Sequence, residues 1–470
     1  MKLLSRIIMV GFMGMLLNAC TFGMDYQRPE ALVPVQYKSD APWKEAEPKD
    51  ALSKGNWWEI YNDPALNELE EQATEANQSL QAAYSRLSQV QSNLGIRRAD
   101  QLPRIDINAS GYRQRVAEDL SITGNSYVGN QFSLPLVLGY EVDLWGRVKR
   151  SIEAAEADVE GAVANYQNLL LTLQTELAQN YFSLRAVDNE IDLLLQTIEL
   201  RKATRDMVKS KFDNGQVGQL DLSRAESILA ATEAEAIGLQ KQRGEMENAI
   251  AVLIGLPPSS FSIAVAPLTQ DPPPVTPGLP SDLLERRPDV AAAERQMAAA
   301  SARIGVAKTA FFPAISLTGS AGFGSSQIDS LFDWNNRTWG LGPAVSLPIF
   351  DYGRNSANLD KTRALYDEAV ANYRQQVLLA FMEVENGLNG LRVLNLQGQF
   401  LQQAAATAKH AWMLSEKRYR AGLVSYLEVV DTQRSALQAE RSMVQLRGLQ
   451  LRTSVHLIKA LGGGWGMSGA

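Results

Sequence analysis

From Arg147 to Phe212 the chain holds no proline and one glycine, Gly161. Nothing in such a run forces a helix to stop. Its apolar residues fall on two seams, each with a seven-residue repeat. Ile152, Val159, Tyr166, Leu173, Val187 and Leu194 mark one seam, with Asn180 its one polar break. Val163, Leu170, Leu177, Leu184, Ile191 and Ile198 mark the other. Spacing that alternates four and three over so many heptads predicts one long helix packed as in a coiled coil. At 1.5 Å per residue, the 66 residues extend about 100 Å. Few compact domains hold a rod of that length, so the remainder of the chain has to supply its purpose.

The rod occurs twice. Ala162-Val163-Ala164-Asn165-Tyr166 returns as Ala369-Val370-Ala371-Asn372-Tyr373, an offset of 207 residues. The same offset relates Trp145-Gly146-Arg147 to Tyr352-Gly353-Arg354, Gly215 to Gly422, and Leu253-Ile254-Gly255 to Ala460-Leu461-Gly462. A period so much longer than a solenoid repeat means two copies of a domain-sized unit. Each copy reads as a helix, a strand pair, a very long helix, a turn and a helix. The predicted organisation is a signal segment over 1–19, an extended N-terminal segment over 20–64, copy one over 65–256, a proline-rich linker over 257–280, copy two over 281–462 and a tail over 463–470. The first helix is expected over roughly Ala65–Ala99.

The strands alternate with period two. Ile105, Ile107 and Ala109 alternate with Asp106, Asn108 and Ser110. After a polar loop over Arg113–Gln131, Phe132, Leu134, Leu136, Leu138, Tyr140, Val142 and Leu144 oppose Ser133, Gly139, Glu141 and Asp143. Ile315, Leu317 and Ala321 oppose Ser316, Thr318 and Ser320, and the last strand sets Leu341, Val345, Leu347 and Ile349 against Gly340, Ala344 and Ser346. Strands of about ten residues with that alternation suit a transmembrane barrel, apolar toward lipid and polar toward a lumen. Trp145, Trp334, Trp339 and Tyr352 near the strand ends suit an aromatic girdle. A soluble sandwich is disfavoured because Pro135, Pro343 and Pro348 interrupt what would be interior strands. Four strands cannot close a barrel and lipid tolerates no open edge, so an oligomer is expected. Two chains supply eight strands, which side chains fill; three supply twelve, which leave room for water.

Residues 1–19 read as an export signal: Lys2 and Arg6, an apolar run from Ile7 to Leu17, then Leu17-Asn18-Ala19 before Cys20. Cys20 is the one cysteine in the chain and stands where bacterial lipoproteins are acylated; the alternative is an ordinary signal peptide with an incidental cysteine. One cysteine and two distant histidines, His410 and His456, exclude a disulfide framework and a zinc site. A net charge of −7 argues against nucleic acid as a partner. No nucleophile elbow, phosphate loop, dinucleotide fingerprint or metalloprotease motif is present, so no catalytic residue is assigned and the chain is not expected to be an enzyme.

With these features the chain resembles the outer-membrane factor family, the TolC- and OprM-like efflux channels. The resemblance rests on Cys20 followed by Asp25-Tyr26-Gln27-Arg28-Pro29, on Trp57-Trp58 with Asp63-Pro64-Ala65-Leu66, and on Tyr140-Glu141-Val142-Asp143-Leu144-Trp145-Gly146-Arg147. Glu285-Arg286-Arg287-Pro288-Asp289-Val290 and Leu347-Pro348-Ile349-Phe350-Asp351 complete it. It implies an α+β membrane protein: a homotrimer with a 12-stranded outer-membrane β-barrel, four strands per chain, continued by a periplasmic α-helical barrel. It further implies a lipid-anchored exit duct of a tripartite small-molecule efflux system, joined to a periplasmic adaptor and an inner-membrane transporter of the RND type. The only attached group would be diacylglycerol and an N-acyl lipid on Cys20. Export of secreted proteins through the same architecture, and a non-conducting trimeric structural lipoprotein, are the competing readings.

A duct must close, and the turns after the long helices are where it would do so. Gly215 and Gly422 suit helix C-caps that reverse the chain. Glu428 and Asp431, three apart, share a helix face. Taken alone they read first as acids complementing a helix N-terminus. The resemblance instead assigns them to acidic rings at the periplasmic constriction. It also matches Tyr419 and Asp221 to a gate-bracing pair, and the Gly215 and Gly422 turns to the tips that meet the adaptor. Val424 stands where TolC carries a gate arginine, which leaves Arg418 or Arg420 as substitutes.

Overall fold

The computed structural model describes residues 26–28, 55–122, 124–273 and 286–463. The signal segment, Cys20, residues 274–285 around the end of the linker and residues 464–470 of the tail lie outside the described residues. The chain divides into two units.

One unit takes residues 26–28, 86–163 and 292–374 and contains the sheet. Its strands are β1 (Arg104–Ile107), β2 (Ser110–Val116), β3 (Tyr127–Glu141), β4 (Ala314–Ser325) and β5 (Arg337–Ser346), all paired antiparallel. β1 and β2 lie along the same edge of β3 in an unbroken register: Ile107 faces Leu136 and Ser110 faces Ser133. Between them the Asn108 N–H donates to the Pro135 carbonyl at 3.0 Å. Pro135 has no N–H to return, so the ladder lapses for two residues and the five strands form four lanes. The expectation that Pro135 excludes an interior strand is corrected here. β3 has neighbours on both sides, and Gly322 admits the proline: a Cβ there would lie 2.5 Å from Pro135 Cα. The hairpin loop is also shorter than expected, 117–126, because residues 113–116 pair with 127–130.

The register fixes which side chains share a face. Ile105, Leu138, Gly319 and Leu341 lie in one row across the four lanes, and Ile107, Leu136, Ala321 and Trp339 in the next. The opposite face carries Asp106, Val137, Ser320 and Gly340, then Arg104, Gly139, Thr318 and Gly342. Ile105, Ile107, Leu136 and Leu341 are exposed, and Trp339 is 81% exposed. Both outer lanes, β1–β2 and β5, have an unpaired edge among the described residues.

The motif that closes copy one's hairpin turns strand into helix. Arg147 holds Glu141 with two hydrogen bonds of 2.6 Å, and the Asp143 carboxylate accepts from the Lys149 N–H at 2.8 Å. Trp145 does not join the girdle as expected. It is half-buried, stacks on Phe312 at 5.1 Å and donates to the Pro313 carbonyl at 2.7 Å. Trp334, Trp339 and Tyr352 are exposed.

The other unit takes residues 55–85, 164–273, 286–291 and 375–463. The expected first helix is two, α1 (Pro64–Ala76) and α2 (Gln78–Ala99). Asp63 caps α1 through the N–H groups of Ala65 and Leu66. Asn77 is extended, caps α2 through Ser79 and Leu80, and donates to the Leu253 carbonyl. The side chain that starts the second helix thereby breaks the first. The predicted rod is α3 (Arg147–Asp213), 67 uninterrupted residues, followed by α4 (Gln219–Leu253). Copy two repeats them as α5 (Pro288–Thr309), α6 (Arg354–Arg420), again 67 residues, and α7 (Tyr426–Ala460). The core joins Trp57, Trp58, Tyr61 and Leu66 to Leu177, Tyr181, Phe182 and Leu184 of α3, Ile250 of α4 and Leu451, Val455 and Ile458 of α7. Each such buried aliphatic contributes about 1.5–3 kcal/mol.

Polar clamps hold the rest. Asp188, buried on α3, accepts from Arg243 at 2.7 Å and Arg185 at 3.1 Å. The same arginines reach the Ile263 and Ala264 carbonyls, tying down the linker segment. Arg287 binds Asp289 and Glu383, each at 2.6 Å, and the Ala460 carbonyl. Burial alone would lower the Arg287 pKa, but Asp289 and Glu383 raise it above its ordinary value.

Candidate functional site

The two turns are built alike. After α3, the Gly215 N–H reaches the Phe212 carbonyl at 2.9 Å and the Gln216 N–H the Lys211 carbonyl at 2.8 Å. After α6, the Gly422 N–H reaches the Tyr419 carbonyl at 3.0 Å and the Leu423 N–H the Arg418 carbonyl at 2.9 Å. This is the Schellman closure, and it needs a left-handed residue at the cap. Gly215 and Gly422 supply it at φ 73° and 74°.

Under the turns lies an apolar cluster. Val208, Leu222, Ala225, Tyr419, Tyr426 and Val429 are buried, with Phe212, Val217 and Val424 packed against them. Val424 is the twin of Val217 at the 207-residue offset, and both serve as apolar lining. The Tyr419 and Tyr426 rings meet at 5.6 Å. The Tyr419 hydroxyl is buried with no hydrogen-bond partner among the described residues. Burial, then the nearby Asp221 carboxylate, raises its pKa above 10. Tyr426 is pushed up to about 12, chiefly by burial and then by Tyr419. Tyr419 and Asp221 are thus brought together without a hydrogen bond between them.

The acids differ between the copies. Asp221 and Glu428 are twins at the 207-residue offset, and so are Arg224 and Asp431. Arg224 lies 3.7 Å from Asp221, an i,i+3 ion pair. Copy two puts a second acid where copy one has that arginine. Glu428 and Asp431 are exposed on the first turns of α7, and no ion pair neutralises them among the described residues. Like charges three or four apart cost a helix a few tenths of a kcal/mol, partly offset by the positive N-terminal dipole. Arg420 is tied to Glu416 on its own helix at 2.6 Å, and Arg418 is exposed.

One residue escaped the sequence reading. Lys211, in the last turn of α3, sets its Nζ 4.2 Å from the centre of the Tyr419 ring. The signal was present in the duplication: Lys211-Phe212 and Arg418-Tyr419 are the same basic–aromatic pair in the two copies.

A sheet with one continuous apolar face, one polar face and two open edges, feeding paired long helices that end in acid-bearing turns, is the subunit of a membrane channel. The comparisons give that class its family. The outer membrane efflux protein family matches residues 69–256 and 279–463. The solvent efflux pump outer membrane protein SrpC of Pseudomonas putida is 32% identical over 463 residues, 97% of each chain. Outer membrane protein OprJ of Pseudomonas aeruginosa is 33% identical over 455 residues, 96% of this chain and 94% of that one. The solved structure of the open state of the Neisseria gonorrhoeae MtrE outer membrane channel is similar at a TM-score of 0.84 and 30% identity, covering 95% of this chain and 98% of that one. The chain belongs to the outer membrane efflux protein family. It is an efflux channel of the outer membrane and not an enzyme.

Proposed function

We propose that three copies of the chain close into a 12-stranded barrel and a helical tube, forming the exit duct through which a tripartite pump expels small molecules. The observation that carries this reading is the sheet: an exposed apolar face backed by a polar one, with both edges unpaired among the described residues. In hydrocarbon such edges must find partners, and four lanes from each of three chains provide a ring wide enough for water. In this reading Cys20 carries the acyl chains that anchor each chain in the outer membrane. Glu428 and Asp431 form the acidic periplasmic constriction, Asp221 and Tyr419 brace it, and the Gly215 and Gly422 turns meet the adaptor. An inner-membrane transporter of the RND type completes the assembly. The solvent efflux assigned to SrpC supports small organic cargo over secreted protein.

Single-channel recording of the purified protein in planar bilayers tests the reading. The wild type should conduct weakly with a preference for cations. Glu428→Ala with Asp431→Ala should raise conductance and weaken that preference, because removing fixed negative charge removes the attraction for cations at the narrowest point. A wild type that never conducts in its full oligomeric form refutes the duct. Unchanged conductance and selectivity in the double variant removes the acids from the constriction. Mass spectrometry of wild type and Cys20→Ser reads the acyl groups directly.

A further inference from the structure

We infer that Lys211 is the residue that latches the turns shut, by seating its ammonium on the Tyr419 ring. The inference rests on the gate reading above and names a positioning residue within it.

The gate as the sequence presents it lacks a cation: Val424 is packed into the apolar cluster. Arg420 is engaged with Glu416 on its own helix, so it braces nothing beyond α6. Arg418 is exposed. Lys211 differs from both in reaching across. It belongs to α3 and copy one, while Tyr419 belongs to α6 and copy two, and Nζ stands 4.2 Å from the ring centre. Lys209, two residues earlier, is paired with Asp213 on its own helix, whereas the contact of Lys211 is the tyrosine face.

The partner is held ready. Tyr419 is 5% exposed and packed on Tyr426, and among the described residues its hydroxyl makes no hydrogen bond, so packing positions the ring. A buried aromatic face is the setting in which a cation–π contact exceeds its value at an open surface. The contact joins the final turns of the two long helices, the turns whose separation opens a path between them. Repeated in each chain of the proposed trimer, it resists opening at three points. The Tyr419 phenol takes part in this contact through its ring.

Open probability in planar bilayers, recorded on purified full-length oligomers, tests this. Lys211→Ala should raise it about five-fold or more, the loss expected for one partly desolvated cation–π contact per chain. Lys211→Arg should restore the wild-type value, since guanidinium stacks on the same face. Tyr419→Leu should behave as Lys211→Ala, and Tyr419→Phe, which keeps the ring, should open less than Tyr419→Leu. Combining Lys211→Ala with Tyr419→Leu should add little to either, because both remove one contact. If Lys211→Ala is silent while Glu428→Ala with Asp431→Ala alters conductance, the gate stands and the latch is overturned. A silent result from both sets overturns the gate reading itself. Opening by Arg418→Ala or Arg420→Ala, with none from Lys211→Ala, assigns the latch to that arginine instead. Equal opening by Tyr419→Phe and Tyr419→Leu shows that the hydroxyl carries the effect and refutes the ring contact.

Discussion

Glutamate 70 should make the protein less stable as the pH rises. It lies on the buried stripe of α1 with Leu66, Leu69 and Ala73, and its side chain is 0% exposed. Neither carboxyl oxygen has a hydrogen-bond partner among the described residues. Burial holds its pKa well above 4.5, so the folded chain keeps the proton. The unfolded chain releases that proton near the ordinary value. Above pH 4.5, therefore, the unfolded state binds one proton fewer than the folded state, and stability falls with pH by about 1.4 kcal/mol per unit for each chain. The loss accumulates as pH rises above the ordinary carboxylate value and levels off once pH passes the folded value. Glu70→Gln has nearly the same shape and cannot ionise.

Denaturant midpoints of the purified protein in detergent, followed by tryptophan fluorescence at pH 5, 6, 7 and 8, read the effect through Trp57 and Trp58 beside α1. The variant's advantage over wild type should grow with pH. A constant offset would reflect only how well the amide fits the pocket. It is the widening gap that carries the reasoning. Parallel pH curves for the two proteins refute it, because they mean that the folded chain already ionises Glu70.

Gly322→Ala should cost about 1–3 kcal/mol and lower the yield of assembled protein, since the added methyl runs into Leu134 and Pro135 across the ladder; Gly324→Ala, where the nearest atoms stand 3.8 Å away, provides the comparison. Full assembly with Gly322→Ala on non-denaturing gels counts against the close approach. Asp289 has the opposite pH sign to Glu70: burial raises its pKa, but Arg287 outweighs burial and brings it below 3.8. Its contribution is present above the ordinary carboxylate range and is lost as pH falls through the folded value. The stability deficit of Asp289→Asn should therefore shrink in denaturant melts taken from pH 5 down to pH 3; a deficit unchanged across that range contradicts the pairing.

The long helices were legible because a seven-residue pattern over 66 positions has no competing explanation. The helix ends were less so. Asn77 interrupts the first helix because its amide finds the Leu253 carbonyl, a partner 176 residues away that no local window reveals. β2 was missed because Arg113, Gln114 and Arg115 break the apolar alternation, and their pairing is imposed by β3 across the hairpin. Pro135 misled because its tolerance depends on Gly322 in the other copy. At the turns the glycines and acids could be read from spacing. The Lys211–Tyr419 contact could not, since it joins side chains 208 positions apart and depends on two helices ending side by side.

The duplication is symmetric in sequence and unequal in use. Leu171 of α3 is 4% exposed, and its twin Leu378 of α6 is 54% exposed; Thr175 is 1% exposed and its twin Met382 is 50%. Phe400 is exposed where its twin Leu193 is half-buried. The difference follows from what each helix has to pack against. Copy one's rod shares a core with residues 57–80 and with the linker near Leu268. The stretch ahead of copy two is the linker itself, and its described residues are clamped to α3 and α4 by Asp188, Arg185 and Arg243. α6 is thus left with an apolar stripe that no other described residue of its own chain covers. A single chain exposing Leu378, Met382, Leu396 and Phe400 on one helix and Trp339 and Leu341 on its sheet has two uncovered surfaces of different kinds. Lipid suits the sheet, whose backbone is already paired within the face. The helix stripe suits neighbouring helices, which in the proposed trimer come from the next chain.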